Sequence, residues 1–168
     1  MKKLNKNNKG FSLVELLVVI AIMVVLVGVL APSLLSNIEK TRESKDIQAL
    51  DTLAGNIQAC MTDEKVYDVI TDSTTDVEFD LFTAYKGTGA FASTNMATAL
   101  DSYLALTAVY KSATESDIKL FEGKIAKNDG KKIDVVINHE TGSITVKLLK
   151  ADGTTVTGKS GTEYSVTR

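Results

Sequence analysis

The chain has 168 residues, of which 44% are hydrophobic and 24% are charged, and its formal net charge is −2. This length accommodates one domain with an appendage and leaves no room for a second catalytic domain. The absence of a basic excess argues against a nucleic-acid-binding domain, and the single cysteine, Cys60, excludes an intrachain disulfide or a cluster of thiolates around zinc.

The first ten residues form a short leader with four lysines and no acidic residue. The only small residue at the junction between this polar leader and the following apolar run is Gly10, directly before Phe11. An ordinary secretory signal has the opposite order, with its cleavage site after the apolar region. A cut after Gly10 would therefore remove the leader, residues 1–10, and keep the hydrophobic segment in the product.

The apolar run covers 21 residues, 11–31, and is interrupted only by Ser12, Glu15 and Gly28. As a helix it would be about 32 Å long, close to the roughly 30 Å hydrocarbon core of a bilayer. We predict a single membrane-spanning helix, with the leader lysines on the cytoplasmic side and the rest of the chain outside. A plain signal anchor is the alternative.

Glu15 is the unusual residue of this run. A carboxylate inside a membrane helix costs about 2.5 to 3.5 kcal/mol on insertion scales, so such residues are usually paired or functional. A cut after Gly10 would give Phe11 an α-amine about 6 Å from Glu15, on the same helix face. We therefore predict that this carboxylate pairs with the new amine of its own chain or of a neighbouring chain.

One stretch resembles the class III leader and processing site of type IV prepilins and pseudopilins: Lys9-Gly10-Phe11-Ser12-Leu13-Val14-Glu15-Leu16-Leu17. The resemblance implies that prepilin peptidase cuts between Gly10 and Phe11 and methylates the amine of Phe11. It also implies that Glu15 neutralises the amine of an adjacent subunit while an ATP-driven assembly machine builds the fibre. Because Cys60 has no partner cysteine, the chain looks more like a Gram-positive, clostridial major pilin than a disulfide-bearing one.

Pro32 is the only proline, and it falls inside the helical pattern. Proline removes one backbone hydrogen bond and clashes with the preceding turn, so we predict a helix break here, as a kink or an unwound stretch. The resemblance implies the same, because the family commonly has a helix-breaking proline at this distance from the cut. We place the membrane and fibre-core helix at residues 11–35 and the globular head at residues 36–168.

Beyond Pro32, apolar residues continue at spacings of three and four, which predicts one long helix from about Phe11 to Met61 with its outer half packed on the head. We expect Cys60, near this face, to be a buried and inert thiol. The face contains Leu50, Leu53, Ile57 and Met61. Six residues at positions 39–46 form a charged collar: Glu39, Lys40, Arg42, Glu43, Lys45 and Asp46. We expect this collar to be solvated, and a contact between subunits is the alternative.

The remaining residues predict a small mixed head. Turn signals and alternating patterns indicate antiparallel strands that form a three-stranded meander. The predicted elements are a connecting loop at 62–89 with a strand or helical turn at 77–85, helices at 94–106 and 115–121, and strands at 132–139, 143–150 and 164–167. The order predicts an α+β fold, a long N-terminal helix packed on a small C-terminal antiparallel β-sheet, which is the pilin architecture.

No catalytic constellation is found in the sequence. His139 is the only histidine and lies at a hairpin turn, so we predict no catalytic residue, no metal site, no cofactor and no enzyme activity. We expect a structural subunit of a type IV pilus whose partners are further copies of the chain, prepilin peptidase, the assembly ATPase machinery and, before assembly, the membrane. Nucleic acid is not a predicted partner. The alternatives are a minor pilin or pseudopilin of a secretion or DNA-uptake system, and a membrane-anchored extracellular binding module.

Overall fold

The computed structural model describes residues 10–62, 67, 74–86, 109–112 and 115–168. The chain divides into two units, Met1–Ile38 and Glu39–Arg168. The helix predicted at residues 94–106 lies outside the described residues.

A single helix, α1, runs from Leu13 to Cys60 and matches the long predicted helix closely. From Leu13 to Ile38 its large apolar side chains are exposed, as is Phe11 just before the helix. In the second half the predicted apolar face is confirmed, because residues at spacings of three and four are buried: Leu50, Leu53, Ala54, Ile57 and Cys60. Met61, at the end of this face, is partly buried.

The helix continues through Pro32 without interruption. Proline has no N–H to bond the carbonyl of Gly28, four residues earlier, but one missing bond does not end a helix whose turns propagate on both sides. The predicted unwound stretch is therefore absent from α1, whereas a kink at Pro32 stays a prediction.

The head contains an antiparallel four-stranded sheet of order β1-β4-β5-β6. Its strands are β1, Val77–Asp80; β4, Lys132–Ile137; β5, Ile144–Leu149; and β6, Ser165–Thr167. The turn between β4 and β5 places Gly142 at φ 67°, a left-handed conformation that favours glycine. The predicted meander of β4, β5 and β6 is confirmed, and β1 adds an edge strand by pairing with β4.

The core of the head lies between this sheet and the outer half of α1. Alternate residues of β4 and β5 are fully buried, as expected when every second side chain of a strand faces one side. They are Ile133, Val135, Ile137, Ile144, Val146 and Leu148. Phe121 and Tyr164 join the same cluster, with their rings edge to face at 6.4 Å between centroids.

The segment Val77–Tyr85 was predicted to contain a strand or a helical turn, and it contains both. Strand β1 is followed directly by a short helix, α2, at Leu81–Tyr85. Asp80 caps this helix, because its Oδ1 accepts the Phe82 N–H at 2.7 Å and the Thr83 N–H at 3.2 Å.

The helix predicted at residues 115–121 is wrong. Glu115–Ile118 forms strand β3, which pairs antiparallel with β2 at Tyr110–Ser112. Pairing with a neighbouring strand outweighs a weak local helical preference. A short helix that was not predicted, α3, follows at Lys124–Asp129.

Candidate functional site

Ser12 is the N-cap of α1. Its carbonyl accepts the Leu16 N–H at 3.2 Å and its Oγ accepts the Val14 N–H at 3.4 Å. In return, Glu15 Oε2 accepts the Ser12 N–H at 2.8 Å. The bond from the Ser12 N–H back to Glu15 is that of a capping box, although the Ser12 hydroxyl here accepts from the second helical residue, Val14, and not from the third. Both bonds satisfy N–H groups at the helix start, and we call this pair of bonds the capping box.

Gly10 and Phe11 lie before the helix, and Phe11 is 91% exposed. In this uncut chain α1 begins at Leu13, so Phe11 lies outside the helix, and the pairing of Glu15 with the Phe11 amine of the cut chain stays a prediction. Glu15 bonds to Ser12 here. A role for Ser12 was missed, although a serine followed three residues later by glutamate, ahead of an apolar run, is the sequence signal of a capping box.

The N-terminal part of α1 is exposed and apolar. Among the described residues, α1 is the helix with a stretch long and apolar enough to cross a membrane, and none of that stretch is buried. Soluble monomers rarely leave so large a continuous apolar surface in water. The segment therefore fits a membrane-anchored precursor.

The charged collar is not a solvated face throughout. Lys40 and Lys45 are exposed as expected, but Glu43 and Asp46 are only 2% and 1% exposed. The expectation of a solvated collar is wrong for these two carboxylates, because they point into the head and bond to its backbone.

Glu43 binds the turn at residues 158–161, between β5 and β6. Its Oε1 accepts the Lys159 N–H at 2.6 Å, and its Oε2 accepts the Ser160 N–H at 3.3 Å and the Ser160 hydroxyl at 2.9 Å. A Cβ at Gly158 would lie only 3.0 Å from Oε2, so glycine permits the close approach. Burial disfavours the charged carboxylate, but these hydrogen bonds outweigh burial and lower the pKa of Glu43.

Asp46 binds the segment before α3. Its Oδ1 accepts the Glu122 N–H at 2.7 Å and its Oδ2 accepts the Gly123 N–H at 2.8 Å. A Cβ at Gly123 would lie 2.6 Å from Oδ2, too close for any side chain. Burial raises the pKa of Asp46, and the two hydrogen bonds offset only part of that effect.

Glu39 completes a set that we call the stem carboxylates: Glu39, Glu43 and Asp46. Glu39 Oε1 accepts the Lys124 N–H, and its other oxygen lies 3.5 Å from Arg42 Nη1. All three acids thus bind main-chain N–H groups of segments that are distant in sequence, namely two turns or loops and the first residue of α3. No group of three His, Cys, Asp or Glu side chains that could hold a metal ion occurs within the part of the chain that the structure describes.

His139 lies on the exposed turn between β4 and β5, as predicted. Its N–H donates to Asp76 Oδ1 at 3.2 Å, and its Nδ1 lies 3.0 Å from the same oxygen. The hydrogen bonds from His139 lower the pKa of the Asp76 carboxyl. The contact ties the hairpin turn to the residue before β1.

Residues 5–31 match a family model described as the prokaryotic N-terminal methylation motif. The match includes the exposed Gly10–Phe11 bond, both residues of the capping box and the apolar run. No curated protein and no solved structure shows significant similarity to the chain.

Proposed function

We propose, from the premise that residues 5–31 are the class III signal peptide of type IV pilins, that this chain is a structural subunit of a type IV pilus and not an enzyme. Prepilin peptidase hydrolyses the Gly10–Phe11 bond and methylates the new amine of Phe11. The subunit then polymerises into a surface fibre that serves adhesion, motility or biofilm formation. The observation that carries this proposal is the methylation motif on an exposed apolar helix that continues into a folded head.

The exposed apolar surface from Phe11 to Ile38 supports assembly as well as anchoring. In the bilayer, lipid covers this surface; in a fibre, the same segments of neighbouring subunits cover it. Keeping apolar area from water is worth roughly 25 cal/mol per Å², so hydrophobic contacts dominate the stability of such a fibre. The move from lipid to fibre exchanges one apolar environment for another.

Glu15 supplies the polar contact of this mechanism. Once the leader is removed, its carboxylate pairs with the Phe11 amine of an adjacent subunit, which sets the register between subunits and neutralises a buried charge. The assembly ATPase machinery draws the subunit out of the membrane, and the mature form is an extracellular fibre built from copies of this chain.

The test is intact-mass and N-terminal analysis of the protein purified from its native cells. A chain that begins at a methylated Phe11 is the expected result. A chain that still begins at Met1 would reject processing and favour the membrane-anchored binding module.

A second measurement separates a main fibre subunit from a minor pilin or pseudopilin, which share this motif. Purified surface fibres are expected to contain this chain as their principal component, by quantitative mass spectrometry. Its presence at a few copies per fibre, or in secretion complexes alone, would assign it to the minor class.

A further inference from the structure

We propose that Ser12, supported by Glu15, is a positioning residue for leader cleavage: the capping box holds the Gly10–Phe11 peptide bond outside α1 and leaves it open to the peptidase. This inference rests on the proposed function, because it takes the cut to fall between these two residues.

The geometry concerns one particular N–H group. In an α-helix each N–H bonds the carbonyl four residues earlier, so a helix extended towards the leader would join the Val14 N–H to the Gly10 carbonyl. That carbonyl belongs to the bond to be cut. In the structure the Val14 N–H donates to Ser12 Oγ instead, at 3.4 Å. The serine hydroxyl therefore takes the donor that would otherwise engage the scissile carbonyl.

Glu15 stabilises the same helix start from the other side. Its Oε2 accepts the Ser12 N–H at 2.8 Å, which keeps Ser12 at the N-cap. Gly10 and Phe11 consequently remain exposed and non-helical. Both residues of the box stay in the product, and the Phe11 amine with which Glu15 pairs in the proposed function exists only after the cut.

The chemistry needs an accessible carbonyl. Water adds to the carbonyl carbon of Gly10, the bond from that carbon to the Phe11 nitrogen breaks, Gly10 leaves with a carboxylate and Phe11 gains an amine. A carbonyl already bonded within a helix must first be released by local unwinding. The capping box removes that step, so a larger share of precursor molecules is ready for cleavage.

This mechanism has a kinetic signature. When only a fraction of molecules is competent to bind, the apparent dissociation constant rises in inverse proportion to that fraction. Loss of the box is therefore expected to raise KM while kcat stays near its wild-type value. Losing an N-cap interaction typically corresponds to about a fivefold change in the helix-start equilibrium, so we expect kcat/KM of Ser12→Ala to fall measurably, by up to about fivefold.

The experiment uses the full-length precursor in detergent micelles with purified prepilin peptidase, and follows the cut by mass. Two pairs of variants are compared. Ser12→Ala removes the capping hydroxyl, whereas Ser12→Asn keeps a side-chain oxygen that can cap the helix. Glu15→Ala removes the oxygen that accepts the Ser12 N–H, whereas Glu15→Gln keeps such an oxygen without the charge. The cap-retaining member of each pair is expected to be cleaved at the wild-type rate, and the alanine member less efficiently, by up to about fivefold.

The outcomes separate the two proposals. If the wild-type precursor is not cut between Gly10 and Phe11, the proposed function fails. If it is cut there but Ser12→Ala has wild-type kcat/KM, the positioning role alone is overturned. If Ser12→Asn is cleaved as slowly as Ser12→Ala, the peptidase recognises the Ser12 hydroxyl directly, which also overturns positioning by the cap. Carbon-13 shifts of Gly10 and Phe11 in the same micelles are expected to move towards helical values in Ser12→Ala.

Discussion

Glu43 of α1 accepts the Lys159 N–H at 2.6 Å, across 116 positions of sequence. The neighbouring stem carboxylate Asp46 reaches Gly123 in the same way, across 77 positions. The head is thus held to its helix by carboxylates that bind backbone as well as by apolar packing. All of these contacts lie within the unit Glu39–Arg168.

The first prediction concerns that unit by itself. A chain that begins at Glu39 lacks the exposed apolar segment but keeps the described core and the stem carboxylates. We expect it to be soluble without detergent, monomeric by size-exclusion chromatography and cooperatively unfolded by heat. Full-length chain purified in parallel should require detergent. Aggregation of the shortened chain, or absence of a thermal transition, would show that the head needs the membrane segment to fold.

The second prediction concerns Glu43. Replacement by alanine leaves the N–H groups of Lys159 and Ser160 without their acceptor in a partly buried turn. Because hydrogen bonds to a charged group contribute about 1.5 to 3 kcal/mol each and are not additive, we expect Glu43→Ala to lower the free energy of unfolding by about 2 to 4 kcal/mol. Urea denaturation measures the change. Glu140→Ala, at an exposed carboxylate, is the control and should stay within about 0.5 kcal/mol of wild type.

The third prediction is the pH dependence of the same contact. The folded-state pKa of Glu43 lies below its ordinary value of 4.5, so the unfolded chain binds the proton more readily. The stabilisation by Glu43 is therefore complete well above pH 4.5 and is lost as pH falls through the folded-state pKa. We expect the stability difference between wild type and Glu43→Gln to be constant near neutral pH and to shrink below about pH 4.5. The pKa shift of Asp46 has the opposite sign, but Asp46 is present in both proteins, so its contribution to the stability difference largely cancels. A difference that grows on acidification would contradict this assignment.

The fourth prediction concerns Gly123. Its alanine variant would place a Cβ 2.6 Å from Asp46 Oδ2, so either the carboxylate or the backbone must shift. We expect Gly123→Ala to destabilise the head by about 1 to 3 kcal/mol, as overpacking usually does. Asn128→Ala, on the exposed surface of the nearby helix α3, is the matched control. Equal stability of the two variants would mean that the Asp46 carboxylate does not need to approach the Gly123 backbone so closely.

Much of this fold follows from short-range patterns in the chain. The apolar spacing along α1, the glycine turn at Gly142 and the alternation in β4 and β5 each concern residues within a few positions of one another, and the structure agrees with all three. The capping box of Ser12 and Glu15 is equally local, and its signal was present in the sequence although its role was not predicted. The methylation motif is also continuous, which is why it identifies the N-terminal segment without any knowledge of the head.

The remaining features depend on partners far away in the chain. Glu115–Ile118 forms a strand because a second segment pairs with it, and no pattern within those four residues specifies that partner. The same holds for the charged collar: by sequence Glu43 and Asp46 are indistinguishable from the exposed Lys40 and Lys45 beside them. Their acceptor oxygens bind backbone N–H groups, which every residue except proline possesses, so side-chain identity carries no signal of the contact. The sequence by itself determined the processing motif, the long helix and the hairpin, whereas only tertiary structure decided which charges of the collar are buried, because that depends on where distant loops bring unpaired N–H groups.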